Sequence, residues 1–305
     1  MEFIRESKID FASKRFYALG ASGLLLLVGL FFMVIHHGLV YSIDFTGGTL
    51  LQYRFEQPVS DGELRTVLNE AGISAEITTL KDIQQNSTES LIKIPGEQVS
   101  ADKQAAIESL LNSKFQNNAH ELRKVDRIGP RVGEELKWDA LLAVVVSLLL
   151  IVVYITVRFE FKFAIGALAA TAHDVLIMMG IISILKTEIS LSIIAALLTI
   201  VGYSLNDTIV VYDRIRENLK RMAGRPIVDI VNASINQTLS RTILTAATTL
   251  FVVVVMLIFG GETLKPMVFA LFVGIIVGTY SSIYIASPIL IEWYQRYQNK
   301  EMLRH

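Results

Sequence analysis

The sequence predicts a polytopic α-helical membrane protein of six transmembrane helices, carrying one α+β, ferredoxin-like domain outside the membrane. Three observations predict it. Of 305 residues, 52% are hydrophobic and 19% charged, against about 25% charged in average soluble domains, and mean hydropathy is +0.49. The apolar excess is gathered into long runs that lack Asp, Glu, Lys and Arg. Between the first two runs, residues 37–137 are polar and alternate strand-like with helix-like patterns.

Crossing the hydrocarbon takes about 20 mostly apolar residues. Uncharged runs cover 16–43, 140–157, 189–206, 242–261 and 266–291. A sixth apolar segment, 163–185, holds a single acid, Asp174, near its centre, and the fourth run continues past Asp207 through Thr208-Ile209-Val210-Val211-Tyr212. Helices are therefore expected at 16–36, 138–158, 163–185, 190–212, 242–260 and 266–290. The first run is longer than the apolar core of a cleavable signal, and no small-x-small site closes it, so it is expected to stay as an anchor.

Orientation follows from Lys and Arg in the short loops. With residues 1–15 inside, the inner side holds Arg5, Lys8, Lys14, Arg15, Arg158, Lys162, Arg214, Arg216, Lys220, Arg221, Arg225, Arg296, Lys300 and Arg304. The short outer loops hold only Lys186 and Lys265. Both termini (1–15 and 291–305) and the connector 213–241 are expected in the cytoplasm. That connector is basic and amphipathic, suited to lying on the membrane surface or docking on a partner, or else an ordinary solvated face, since positive cytoplasmic loops are expected anyway.

The segment 37–137 reads as an extracytoplasmic domain. Gly47-Gly48 mark a turn, and Thr49-Leu50-Leu51-Gln52-Tyr53-Arg54-Phe55 a strand. Ser60-Asp61-Gly62-Glu63 resembles a helix cap, followed by Leu64, Val67 and Leu68 at helical spacing. Short strands are expected at 76–80 and 90–94, a helix at 100–115 with Ile107, Leu110, Leu111 and Phe115 on one face, and a last strand at 121–128. Strand-helix-strand-strand-helix-strand is the ferredoxin-like order.

Several function classes are excluded or lack their signatures. With no cysteine there is no disulfide, thiolate nucleophile or zinc-thiolate site. A net charge of −1 offers no overall basic field for nucleic acid. No phosphate-binding loop, His-Glu-x-x-His or Gly-x-Ser-x-Gly string occurs. The chain is not expected to be an enzyme or to need a cofactor; its work has to draw on an ion gradient or a partner.

Ionisable residues inside a membrane are costly and mark function by default, at least about 2.5 kcal/mol for an acid at the centre. Asp174, beside His173, sits mid-span, and Asp207, beside Asn206, lies in the inner half of its span. Arg241 opens the fifth span, directly before Thr242. Burial favours the neutral form of a carboxyl group, and a nearby guanidinium favours the ionised form. An arginine that approaches Asp207 and withdraws would therefore load and unload a proton; the plain alternative is a static ion pair that fixes packing. His173 and Asp174 are either a packing hydrogen bond or a relay. Ser204, Thr208, Thr245, Thr248 and Thr249 are either interhelical glue or supports for a chain of waters. Gly274-x-x-x-Gly278 is a close-packing motif of low specificity.

Six strings then carry a resemblance over nearly the full length. They are Asp44-Phe45-Thr46-Gly47-Gly48, Gly129-Pro130-x-Val132-Gly133, Ala172-His173-Asp174-Val175, Val201-Gly202-Tyr203-Ser204-Leu205-Asn206-Asp207-Thr208, Asn236-Gln237-Thr238-Leu239-x-Arg241-Thr242 and Phe259-Gly260-Gly261. The chain resembles the SecF-type members of the SecD/SecF family of protein-export membrane proteins, within the resistance–nodulation–division superfamily. The resemblance implies a subunit that pairs with a SecD-like chain beside the SecYEG translocon, with YajC as a further partner, in the bacterial inner membrane. It implies that the proton gradient is used to promote late export of unfolded polypeptide. It also implies that Asp207 and Arg241 serve proton conduction, the pair reached above from charge placement. A proton-coupled exporter of small molecules or lipids from the same superfamily is the alternative, and a purely structural scaffold would leave Asp207 and Arg241 replaceable.

Overall fold

The computed structural model describes residues 9–82, 87–261 and 264–302. Arg5, Lys8 and Arg304, used above to orient the chain, lie outside the described residues. Among the described residues, six helices are long and apolar enough to cross a membrane: α1 (Arg15–Ile35), α5 (Pro130–Arg158), α6 (Phe161–Ile184), α7 (Leu191–Arg221), α8 (Ile227–Phe259), and α9 (Lys265–Ser281) continued by a π-helical turn (Ser282–Ala286) into α10 (Ser287–Met302). The chain is a multi-pass membrane protein.

The apolar windows of α6, α7 and the last span are 56%, 50% and 50% buried, those of α1, α5 and α8 only 11%, 6% and 17%. Three helices thus form the centre, and three lie outside with broad apolar faces open. Tyr212 of α7 reaches across the centre and donates its hydroxyl to the Ala286 carbonyl, 3.0 Å away, inside the π turn. Such turns leave the regular helical ladder, so a buried carbonyl there needs an outside donor.

Hydropathy placed the spans but not all helix ends. The span expected at 138–158 belongs to a helix that begins at Pro130, capped by Gly129, because proline at the first helical position is preorganised for a start. The connector expected at 213–241 is not a separate surface segment. Beyond their spans, α7 and α8 run on as a helical hairpin that turns at Met222–Pro226. Ile215, Ile227, Val231 and Ile235 are buried in it, and Asn218 donates to Ser234 at 2.9 Å and to Gln237 at 2.8 Å. These apolar residues join the core cluster of the bundle, together with Phe11, Phe159 and Leu290, so the hairpin is packed into the rest of the protein. The last helix likewise continues past residue 290 to Met302.

The outer domain is a four-stranded antiparallel sheet of β1 (Gly48–Phe55), β2 (Glu76–Asp82), β3 (Ser87–Pro95) and β4 (His120–Ile128), in the order β2-β3-β1-β4. A short helix α2 (Ile43–Thr46) precedes β1, and α3 (Asp61–Glu70) and α4 (Ala101–Lys114) cover one face. The caps follow the sequence: Ser60 accepts from the Glu63 amide and Ser100 from the Lys103 amide. Leu51, Tyr53 and Phe55 alternate into the core, where Leu64, Leu68, Ile92, Ile107 and Leu111 meet them.

Tyr53 is fully buried, and its hydroxyl has no hydrogen-bond partner among the described residues. Burial pushes the phenol up to about 12, with the charge of Glu108 adding to the effect. A raised folded-state value means that the neutral phenol is favoured on folding. That stability is present below the ordinary tyrosine range and is lost as pH rises through it towards 12. Outer-domain melting followed by circular dichroism should therefore drop between neutral pH and about pH 11, and Tyr53→Phe should abolish that part of the drop.

Candidate functional site

Both intramembrane acids are buried, but their surroundings differ. Asp174 lies where α6, α7 and α9 meet and is wholly inaccessible. Its Oδ2 accepts from Ser204 Oγ of α7 at 2.5 Å and from Ser281 Oγ of α9 at 2.8 Å. Its Oδ1 lies 3.0 Å from His173 Nδ1. The close approach is made possible by Gly278, where a Cβ would stand 2.9 Å from the Ser204 Cβ. One carboxylate thus ties three helices together, and in a membrane such bonds contribute about 0.6–2 kcal/mol each. His173 is buried as well, with Nε2 unpartnered among the described residues and its ring 6.2 Å from that of Tyr280.

Asp207 is one helical turn beyond Ser204 on α7 and is 2% exposed. Its Oδ2 has no hydrogen-bond partner among the described residues, and neither has the buried hydroxyl of Thr208 or Thr242. Arg241 stands across on α8. Asp207 is fourteen residues before Arg221, the end of α7, and Arg241 fourteen after Ile227, the start of α8. In an antiparallel hairpin this puts them at one level. Among the described residues no direct ion pair joins them, although Arg241 is near enough for its charge to bear on Asp207. Arg241 itself is exposed, on the open side of α8.

The remaining candidates separate. Ser204 belongs to the Asp174 junction. Asn206 is exposed on α7, turned away from that junction. Thr245 donates to the carbonyls of Arg241 and Thr242, both at 3.0 Å, and Thr248 and Thr249 also bond back to their own helix. Their hydroxyl protons are therefore engaged locally. Ser281 is a site residue that sequence reasoning passed over. Its one signal is the Tyr280-Ser281-Ser282 cluster inside an otherwise apolar span.

Chemically, the arrangement offers one acid held by two hydroxyls and an imidazole, and one acid with an unpartnered oxygen level with a cation on the next helix. The first suits packing. The second suits reversible proton binding, because one of its oxygens is left without a hydrogen bond among the described residues.

Residues 107–296 match the family described as "Protein export membrane protein SecD/SecF, C-terminal", and residues 32–59 match the "SecD/SecF GG Motif". A protein translocase subunit SecF of Thermodesulfovibrio yellowstonii is 44% identical over 295 residues, covering 95% of this chain and 96% of that one. The protein translocase subunit SecDF of Thermus thermophilus is 43% identical over 272 residues. There the match takes up 88% of this chain and 36% of the longer one. A crystal structure of SecDF from Thermus thermophilus, titled a translocon-associated membrane protein, superposes with a TM-score of 0.86 at 41% identity, covering 95% of this chain and 39% of that one. The chain belongs to the SecD/SecF family of protein-export membrane proteins.

Proposed function

We propose that this chain is the SecF-type half of a SecD–SecF complex in the bacterial inner membrane, with both termini in the cytoplasm. The complex uses the proton gradient to promote the late stage of polypeptide export through SecYEG. No covalent chemistry and no cofactor enter the reading. The observation that carries it is the buried, unpartnered carboxylate oxygen of Asp207, level with Arg241 in the α7–α8 hairpin. A SecD-like partner is supported by the Thermus relative, in which the matching region is joined to a much longer chain named SecDF. The open faces of α1, α5 and α8 offer room for such a partner. SecYEG, YajC and an unfolded exported polypeptide complete the assembly on this reading.

In the mechanism, the partner packed over α8 holds the Arg241 guanidinium either towards Asp207 or away from it. With Arg241 withdrawn, the carboxyl takes up a proton; with Arg241 close, it releases one. Each charge moved across the field draws about 2.3 kcal/mol per 100 mV, which is the energy available to shift the outer domain.

Vesicles holding the complete complex and a half-exported polypeptide test this. Imposing a proton gradient should drive export to completion, and a protonophore should stop it. Completion that survives the protonophore but follows a sodium gradient would move the coupling ion away from the proton, and completion without any gradient would defeat the reading.

A further inference from the structure

The sheet domain is fastened to the bundle at the outer end of α7. The Asp44 carboxylate (Oδ2) accepts from the amide of Leu191, the first residue of α7, at 2.9 Å. A carboxylate at a helix start is favoured both by the free amides and by the helix dipole. Beside it, the amide of Ser42 donates to the Ile189 carbonyl at 2.9 Å, and the amide of Ile189 to the Val40 carbonyl at 2.7 Å. Together they make a parallel bridge between Tyr41 and Ile189.

A second fastening comes from the sheet itself. Lys93 of β3 is buried, 7% exposed at the side chain. Its ammonium lies 3.2 Å from Glu188 in the α6–α7 loop and 3.3 Å from Glu76, and donates to the Tyr41 carbonyl at 3.0 Å. Phe45 packs in one cluster with Met178, Ile182 and Ile193 of the central helices. Gly47, at φ +67°, has its backbone pressed on the start of α5: a Cβ there would lie 2.6 Å from the Pro130 Cα. The chain then enters β1 at Gly48 with no slack residue.

We propose that Asp44 and Lys93 form a mechanical latch that makes the sheet domain and α7 move as one body. From Leu191 to Asp207, α7 is unbroken, a rod of about 24 Å at 1.5 Å per residue. A shift of α7 at the proton site therefore arrives at the outer domain through bonded groups and not through a flexible linker. Asp44 and Lys93 are positioning residues, since neither touches the proton site. The inference rests on the proton-driven reading above.

The test uses the full chain with its SecD-like partner and translocon in vesicles, with proton flux and gradient-driven export recorded together. Asp44→Ala should leave flux unchanged and lower gradient-driven export about tenfold, the ratio set by losing one hydrogen bond to a charged group. Asp44→Asn, which keeps an acceptor oxygen, should retain most of the export. The chain has no cysteine, so Tyr41→Cys with Ile189→Cys can be added to Asp44→Ala to form a disulfide across the bridge, where the strands run about 4.8 Å apart. Export should return when this variant is oxidised and fall again when it is reduced.

Four results would overturn the latch. They are unchanged export in Asp44→Ala, loss of flux along with export, failure of the oxidised disulfide to restore export, and an oxidised disulfide that blocks export in the otherwise unaltered chain. If the unaltered complex carries no proton flux, it is the proton-driven reading that fails instead.

Discussion

Asp207→Asn is expected to assemble with its partner and to melt as the unaltered chain does, yet to show no gradient-driven proton flux and no gradient-stimulated export. Asparagine keeps the volume and hydrogen-bonding shape of the acid and cannot ionise. The site already leaves one carboxylate oxygen unpartnered among the described residues, so no buried hydrogen bond to that atom is lost. The loss should be complete because the field acts on charge. Without a titrating group at this point, the roughly 2.3 kcal/mol per 100 mV carried by each proton has no entry to the helix pair. Export should fall to the level seen without a gradient and no lower, since Asp207 enters the proposed scheme only through the gradient. The check is a paired assay of flux and export, with complex yield in detergent as the control for assembly.

The second large effect is on stability. Asp174→Leu should lower the unfolding free energy of the bundle in detergent by about 1–4 kcal/mol, from two interhelical hydroxyl bonds at about 0.6–2 kcal/mol each. The site is wholly buried, and the hydroxyls of Ser204 and Ser281 would both lose their shared acceptor. Asp174→Asn keeps an oxygen acceptor and should cost less than half as much. It should also retain proton flux, in contrast to Asp207→Asn. The measurement is the midpoint of thermal unfolding for the three chains, together with flux for the asparagine variant. Loss of flux in a stably folded Asp174→Asn would place this acid on the proton path.

Much of this was legible in the sequence, for reasons that can be stated residue by residue. The serines at 60 and 100 read as caps because a hydroxyl before a run of helix formers satisfies free amides whatever the tertiary setting. Leu51, Tyr53 and Phe55 read as a strand because period two survives any packing. The six spans read directly because hydrocarbon imposes length. Asp207 and Arg241 stood out because an ionisable residue in an apolar run is costly, whether it serves proton transfer or a packing ion pair.

Other features depend on contacts that no local pattern encodes. Hydropathy ends at the membrane surface, but backbone hydrogen bonding does not, so it gave no sign that α7 and α8 continue into a hairpin. Ser281 resembles any small hydroxyl residue in a membrane helix until Asp174 is placed beside it. The π turn at Ser282–Ala286 has no local signature either, and the Tyr212 hydroxyl that satisfies it comes from another helix. Asp44 was noticed as part of a motif, yet its role at the start of α7 depends on a residue 147 positions away.

The central claim is that Asp207 gains and loses a proton as the complex works. Its most direct test is proton flux into vesicles containing the whole complex under an imposed pH gradient, for the unaltered chain, Asp207→Asn and Asp207→Glu. The account predicts flux in the unaltered chain, none with asparagine, and partial recovery with glutamate, whose carboxyl titrates but sits one methylene further out. Undiminished flux with asparagine would contradict it.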